Sequence, residues 1–225
     1  MEQILQNFFN LNVYKNIAPY LLDGLLMTAL LSLLVIPLGL FFGLLVAIAS
    51  QELKTRVLRF LLMAYIDIFR ALPPLVLLIF IYFGLPFLDL EIPKLAAVAL
   101  CFTLNTSSYF GEVFRAGFES VPAGQMEAAR STGLSKLQSL VYVQIPQATK
   151  AVLPDLISNS LEVVKLTTLA IAVALPELLY MARNAQALIY NPSPIVLAAI
   201  FYLILLLPIV RYLSKLEKRK LARQH

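Results

Sequence analysis

The amino-acid sequence predicts an all-α integral membrane protein of five transmembrane helices, with a helix-turn-helix loop between the third and the fourth. Three observations carry that expectation. Of the 225 residues 60% are hydrophobic and only 14% charged, which is too apolar for an ordinary water-soluble domain. The apolar residues fall in runs long enough to cross a hydrocarbon core of about 30 Å, which takes roughly 20 residues of helix. Lysine and arginine concentrate in alternate connections between those runs.

Residues 1–225 read as one transmembrane domain, with room for five or six spans and none for a soluble catalytic domain beside them. Met1 to Ala18 carries Glu2 and Lys15 among scattered apolar residues and lacks the basic start and small-residue cleavage site of a secretory signal. It is expected to be a retained interfacial helix. Tyr20 to Ser50 is the first span, its only charge Asp23, with Pro37, Gly39 and Gly43 predicting a kink. Arg56 to Leu85 is the second, interrupted within Asp67-Ile68-Phe69-Arg70-Ala71-Leu72-Pro73-Pro74. Pro93 to Phe114, Val152 to Leu175 and Ile195 to Tyr212 supply the third, fourth and fifth.

Lys54, Arg56 and Arg59 follow the first span, Arg115, Arg130, Lys136 and Lys150 follow the third, and a basic cluster closes the chain. The opposite side holds Lys15, Lys94 and Arg183. The positive-inside rule then puts the N-terminus outside and the C-terminus in the cytoplasm. The net charge of +5 arises in the tail Lys215, Lys218, Arg219, Lys220 and Arg223, beside a span, so anionic headgroups explain it better than nucleic acid does.

Several chemistries are excluded. Cys101 is a lone cysteine in an apolar run, and the one histidine is His225, so no histidine-based triad or metal cluster can be assembled. No GxxxxGK[ST] phosphate loop occurs, so the chain does not hydrolyse ATP by that route. It also shows no half-length duplication of the kind built into many secondary transporters.

An ionisable group at membrane depth costs several kcal/mol unless paired or hydrated, so the charges inside the spans mark structural pairs or a polar pathway. Asn159, Glu162, Lys165 and Thr168 recur at helical spacing in the fourth span. Asn105, Ser108, Glu112 and Arg115 repeat the pattern in the third, and the two stripes can face one another across a substrate pathway. In the second span Asp67 and Arg70 lie three apart, just before Pro73 and Pro74, whose missing donors break the helix and expose carbonyls. Those four form a candidate gate or hinge; local pairing of Asp67 with Arg70 is the structural alternative.

From Pro122 to Ala148 the chain reads PAGQMEAARSTGLSKLQSLVYVQIPQA: a helix former, a glycine, an amphipathic stretch and a proline stop. Glu127 is a carboxylate beside two small side chains, Ala128 and Ala129, and Gly133 allows the positive φ and the close approach that such a turn needs. The segment Glu127-Ala128-Ala129, three residues, Gly133, nine residues, then Val143-Gln144-Ile145-Pro146 resembles the EAA loop of binding-protein-dependent ABC importer permeases, with close relatives replacing the usual Ile-x-Leu-Pro. Tyr20-Leu21-Leu22-Asp23-Gly24 with Thr28, Phe69-Arg70-Ala71-Leu72-Pro73, Gly111-Glu112-Val113-Phe114-Arg115-Ala116-Gly117 and Pro176-Glu177-Leu178-Leu179 are similar to the polar amino acid subfamily, and together cover nearly the whole chain.

The resemblance implies a non-enzymatic pore subunit of the bacterial inner membrane that binds no cofactor itself. It implies as partners two copies of a cytoplasmic ABC ATPase that uses ATP and Mg, a second permease subunit, identical or related, and an extracytoplasmic solute-binding protein. The loop is then the coupling helix, with Glu127, Ala128, Ala129, Gly133 and Pro146 at the ATPase contact. Such permeases often read Lys-Asp-Thr/Ser-Ser-Leu where this chain has Lys165-Leu166-Thr167-Thr168-Leu169. The missing acid points away from arginine or lysine as cargo and toward an acidic or neutral polar amino acid or a conjugate. A self-contained ion-coupled carrier or channel is the alternative reading, and a mere membrane anchor the third.

Overall fold

A computed structural model describes residues 7–221, with side chains through Lys215. The first residues of the expected interfacial segment, the tail side chains of Lys218, Arg219, Lys220 and Arg223, and His225 lie outside the described residues. Every regular element among the described residues is helical.

Helix α1 runs from Leu11 to Glu52, 42 residues, through Pro19 and Pro37 without interruption. Asn10 caps it, its side-chain oxygen accepting from the N–H groups of Asn12 at 3.1 Å and Val13 at 3.2 Å. Residues 11–18 are therefore the first turns of the long helix instead of a separate interfacial one. Tyr14, Ile17 and Ala18 pack on a buried cluster of Leu21, Leu178, Ala182, Ala185, Leu197 and Ala198, which gives those turns a protein surface to bury against.

Helix α2 (Arg56–Ala71) ends where expected: Leu72 and Pro73 are extended (ψ 127° and 128°) and helix α3 restarts at Pro74. A residue that precedes proline is pushed out of the helical region, and here two in succession are. Helix α3 (Pro74–Ile79) continues as a π turn, Phe80–Gly84, and a tight 3-10 turn, Leu85–Leu88, which stops at left-handed Asp89. Then come α4 (Lys94–Glu119), α5 (Ala123–Ser131), α6 (Lys136–Ser139), α7 (Ile145–Ala151), α8 (Leu153–Leu166, prolonged by a 3-10 turn Thr167–Val173), α9 (Leu178–Ile189) and α10 (Ser193–Leu221).

Helix thus falls in all five apolar segments. By length and composition three helices can cross a membrane, Leu11–Glu52, Leu153–Val173 and Ser193–Lys215, and a fourth crossing results if the broken pair Arg56–Ala71 and Pro74–Leu88 counts as one span. Helix α4 has the length, 26 residues, but Thr103, Asn105, Thr106, Ser107 and Ser108 make its middle polar. All five are buried within the protein, so the polarity faces neighbouring helices.

The chain divides into two compact units, residues 1–36, 73–102 and 161–225, and residues 37–72 and 103–160. In the first, Leu21, Leu178, Ala182, Ala185, Leu197 and Ala198 form a core. Its defining polar feature is Glu177, fully buried at the N-terminus of α9. The carboxylate accepts from the N–H of Leu179 at 2.9 Å, the N–H of Tyr180 at 2.7 Å and the hydroxyl of Tyr202 at 3.1 Å. The N–H of Leu178 donates to Thr28 Oγ1 at 3.1 Å, so α1 satisfies a third orphan donor of α9.

In the second unit, α1 packs on α4 through glycines. A Cβ at Gly39 would stand 2.5 Å from Thr106 Oγ1, one at Gly43 2.5 Å from Phe110 Cβ, and one at Gly111 2.7 Å from Val46 Cγ1. Gly39 and Gly43, four apart, let two backbones approach as small residues do in membrane helix pairs. Tyr65 of α2 reaches Ser107 Oγ at 2.7 Å and the Leu104 carbonyl at 3.2 Å.

Two stability predictions follow from these contacts. Gly43→Ala should lower the thermal unfolding midpoint of detergent-purified protein, as overpacking by about 1–3 kcal/mol does, whereas Gly124→Ala, with nothing within 4 Å, should leave it unchanged or raise it. Glu177→Ala should destabilise by about 1–3 kcal/mol by stranding buried donors, with Glu177→Gln recovering part of the loss; equal midpoints for Ala and wild type would disprove the capping role.

Candidate functional site

The segment from Pro122 to Ala151 is a helical hairpin built by end-capping chemistry. Helix α5 stops in a paired bond pattern: the N–H of Gly133 donates to the Arg130 carbonyl at 3.1 Å and the N–H of Leu134 to the Ala129 carbonyl at 3.3 Å. Gly133 has φ +91°, which side-chain-bearing residues rarely adopt, and space around it is open. Glycine is needed there for its positive φ, as the sequence suggested, but not for the close approach also expected, since nothing stands within 4 Å of it. Ala129 is buried, while Glu127 and Ala128 are exposed on α5. Ser135 and Gln138 then form a reciprocal capping box that starts α6.

Pro146 does not stop the hairpin's second arm, in contrast to the expectation from sequence. The preceding π turn, Leu140–Gln144, shifts the hydrogen-bond register, and Pro146 falls in the first turn of α7, where its missing N–H has no helical partner to lose. Lys136 pairs with Glu52 at the end of α1, and Gln147 donates to Gln125 Oε1 at 3.3 Å, so the hairpin is tied both to the membrane helix and across its own arms.

The broken end of α2 has a specific hydrogen-bond arrangement. In an uninterrupted helix the carbonyls of Phe69 and Arg70 would accept from residues 73 and 74, both prolines here. Asn105 Nδ2 donates instead to the Phe69 carbonyl at 2.7 Å, and the Tyr109 hydroxyl to the Arg70 carbonyl at 3.3 Å. The Arg70 guanidinium stands 5.5 Å from the Tyr109 ring centroid and 3.7 Å from Glu112 Oε2. Asn105, Tyr109 and Glu112 are one face of α4.

Glu112 is held more tightly by Arg115, whose fork spans both carboxylate oxygens at 3.1 and 3.0 Å, and Arg115 continues to Glu119 at 2.6 Å. Arg70, Tyr109, Glu112, Val113, Ala116, Val152, Asp155 and Asn159 surround an open cleft of about 430 Å³. The cleft combines one guanidinium, two carboxylates, a phenol and an amide, a set able to bind a small polar or zwitterionic solute by hydrogen bonds and charge.

Not all the residues singled out by spacing meet there. Glu112 and Asn159 do. Asn105 (4% exposed) and Ser108 (fully buried) turn inward, Ser108 donating to the Asn105 carbonyl at 2.6 Å. Glu162 and Lys165 pair with each other on an exposed face of α8, and Thr168 donates to the Lys165 carbonyl at 2.8 Å. Among the described residues Asp67 is exposed and makes no ion pair; Arg70 takes Glu112 as its partner. Tyr109 and Asp155 were not singled out from the sequence. The signal was available in Tyr109 falling four residues after Asn105 and Asp155 four before Asn159.

Comparison with known proteins agrees with this architecture. Residues 36–222 match the family described as the binding-protein-dependent transport system inner membrane component. The chain is 35% identical over 211 residues to the probable glutamine ABC transporter permease protein GlnM of Bacillus subtilis, covering 92% of this chain and 95% of that one. It is 36% identical over 170 residues to the probable glutamine ABC transporter permease protein GlnP of the same organism, covering 75% and 78%. A crystal structure of an amino acid ABC transporter with histidines superposes with a TM-score of 0.81 at 31% identity, covering 95% of this chain and 98% of that one. The chain belongs to the family of inner membrane components of binding-protein-dependent transport systems, and is a permease subunit of an ABC importer.

Proposed function

We propose that two such subunits, identical or related, form the pore of an ATP-driven importer for a neutral polar amino acid, with L-glutamine the first cargo to test. The observation that carries this reading is the end-to-end similarity to the Bacillus subtilis protein named for glutamine, over 92% of this chain. Leu166, where related permeases often carry an acid, favours a cargo without a cationic side chain.

In this reading α1, the α2–α3 pair, α4, α8 and α10 are the five spans, with the N-terminus outside and the C-terminus inside, a topology that the Lys and Arg distribution supports. The hairpin then lies in the cytoplasm and docks on a separate ATPase, which binds ATP and Mg while this chain holds no cofactor. Glu127, Ala128 and the Gly133 turn form its docking side, supported by their exposure and by the rigid end of α5. Pro146 contributes by fixing the start of α7. A solute-binding protein delivers cargo from outside.

The cleft at Glu112 and Asn159 serves as part of the solute pathway: Arg70 offers a fork for a carboxylate, Asp155 a charge for an ammonium group, and Asn159 an amide for the side chain. Glu162, Lys165 and Thr168 extend the polar face of α8. Asp67, Arg70, Pro73 and Pro74 mark the hinge. ATP-driven closure of the ATPase pair moves the hairpins and alternates access to the cleft.

Ala128→Arg places bulk on the exposed side of α5 without straining a left-handed position, which Gly133→Arg would do. The variant should insert normally and lose the ATPase subunit on affinity purification from native membranes; full recovery of the ATPase with it would remove the hairpin from the docking role. Glu162→Ala should retain the ATPase but change glutamine uptake in proteoliposomes. Unchanged uptake, or loss of the ATPase, would reject its place on the pathway.

A further inference from the structure

We propose that Asn105 and Tyr109 are positioning residues of the transport step: they stand in for the two backbone donors that Pro73 and Pro74 lack, and they hold the carbonyl end of α2 in one of two states. The proposal rests on the importer reading, and deepens it by naming the element that switches.

The last helical bond of α2 runs from the N–H of Leu72 to the Ile68 carbonyl at 2.9 Å. The next two carbonyls have no intrahelical donor available, so each has only two partners to choose from: a side chain or water. That is the physical basis of a switch. Bonded to α4, the end of α2 is fixed; released, its carbonyls must be hydrated, which the open cleft beside Tyr109 allows. No intermediate position satisfies the carbonyls, so the element is bistable, and the donors on α4 bias its equilibrium.

The two bonds are unequal. Asn105 is 4% exposed and its bond is short, 2.7 Å, so it acts as a pivot. Tyr109 is 39% exposed, its bond is 3.3 Å, and it lies on the cleft beside Arg70 and Glu112, so it acts as the catch that opens first. A buried amide where leucine would pack more simply is a cost to stability unless its hydrogen bond has a use. Release of Tyr109 also frees the Arg70 guanidinium from the ring beneath it, so movement of the helix end and presentation of Arg70 to solute are one event.

The experiment uses the complex of this chain with its ATPase, reconstituted with the binding protein and L-glutamine. Tyr109→Phe keeps the ring and removes only the donor. It should raise ATP hydrolysis in the absence of binding protein about fivefold, the population shift that one hydrogen bond supplies, and lower glutamine carried per ATP, at unchanged yield of complex. Pro73→Ala frees Leu72 to be helical, can return an in-helix donor to the Phe69 carbonyl, and should relieve Asn105→Leu and not Tyr109→Phe, whereas the double change Pro73→Ala with Pro74→Ala can return both donors and should make Tyr109→Phe nearly silent.

An unchanged ratio of stimulated to basal hydrolysis in Tyr109→Phe overturns the proposal, as does a parallel fall in hydrolysis and uptake that marks a merely structural bond. Thermal unfolding gives an independent arm: Tyr109→Phe should be non-additive with the double change Pro73→Ala and Pro74→Ala and additive with Pro73→Ala alone, and additivity in both cases refutes donor replacement. If wild type shows no stimulation by the loaded binding protein, it is the importer reading that fails, while the unfolding cycle still decides the role of Tyr109.

Discussion

At membrane depth a backbone carbonyl must find a donor inside the protein, because lipid offers none and an unsatisfied group costs several kcal/mol. Pro73 and Pro74 remove two donors in succession, and much of the second unit can be understood as the answer to that loss. Helix α4 supplies Asn105 and Tyr109 to the stranded carbonyls and Ser107 to Tyr65 of the same broken helix. A helix that carries so many polar groups is a poor lipid-facing span. It must be buried by other helices, and the close approach of α1 through Gly39, Gly43 and Gly111 provides part of that burial. The break in α2, the polarity of α4 and the glycines of α1 are one constraint seen in three places.

The first unit solves a related problem at the other kind of helix end. Helix α9 begins inside the protein, where its first N–H groups would be orphaned. Glu177 accepts two of them and Thr28 a third, while the Tyr202 hydroxyl adds a second donor to the carboxylate oxygen that also accepts from Leu179. A fully buried carboxylate is tolerable because a helix N-terminus and a phenol surround it. In both units, side chains placed on one helix complete the backbone of another.

This explains what could be read from the sequence and what could not. The five apolar segments were legible because hydropathy over about 20 residues needs no tertiary information. The break at Pro73-Pro74 and the positive φ of Gly133 were legible because proline and glycine act on their own backbone. Partnerships across helices were not. Spacing shows which residues share a face of one helix, and so offered Asp67 to Arg70, when the partner is Glu112, 42 positions along the chain. Asn105 was recognisable as polar at depth, but that it serves a carbonyl of α2 depends on the packing of two helices. Pro146 was misread as a stop because a π turn, which shifts the register just before it, leaves no clear composition signal. Residues 11–18 joined α1 because the surface they bury on comes from α9 and α10, more than 150 residues away.

The hairpin and the cleft belong to one compact unit, while Pro73, Pro74, Glu162, Lys165 and Thr168 belong to the other. The hairpin, the end of α1 to which Lys136 ties it, the broken end of α2 and the greater part of α4 all lie within residues 37–72 and 103–160. Arg70 of α2 and Glu112, Arg115 and Glu119 of α4 alternate in sign and lead from the broken helix to within three residues of Pro122, where the hairpin begins. Such a row sums to zero charge, so it is less costly at depth than any of its members alone; Glu112 has two cationic neighbours, Arg70 and Arg115, and Glu119 pairs with Arg115. Rigid packing at the glycine contacts leaves the charged row and the two carbonyl bonds as the parts of this unit that can rearrange, because hydrogen bonds can be exchanged for water while backbones in van der Waals contact cannot move closer.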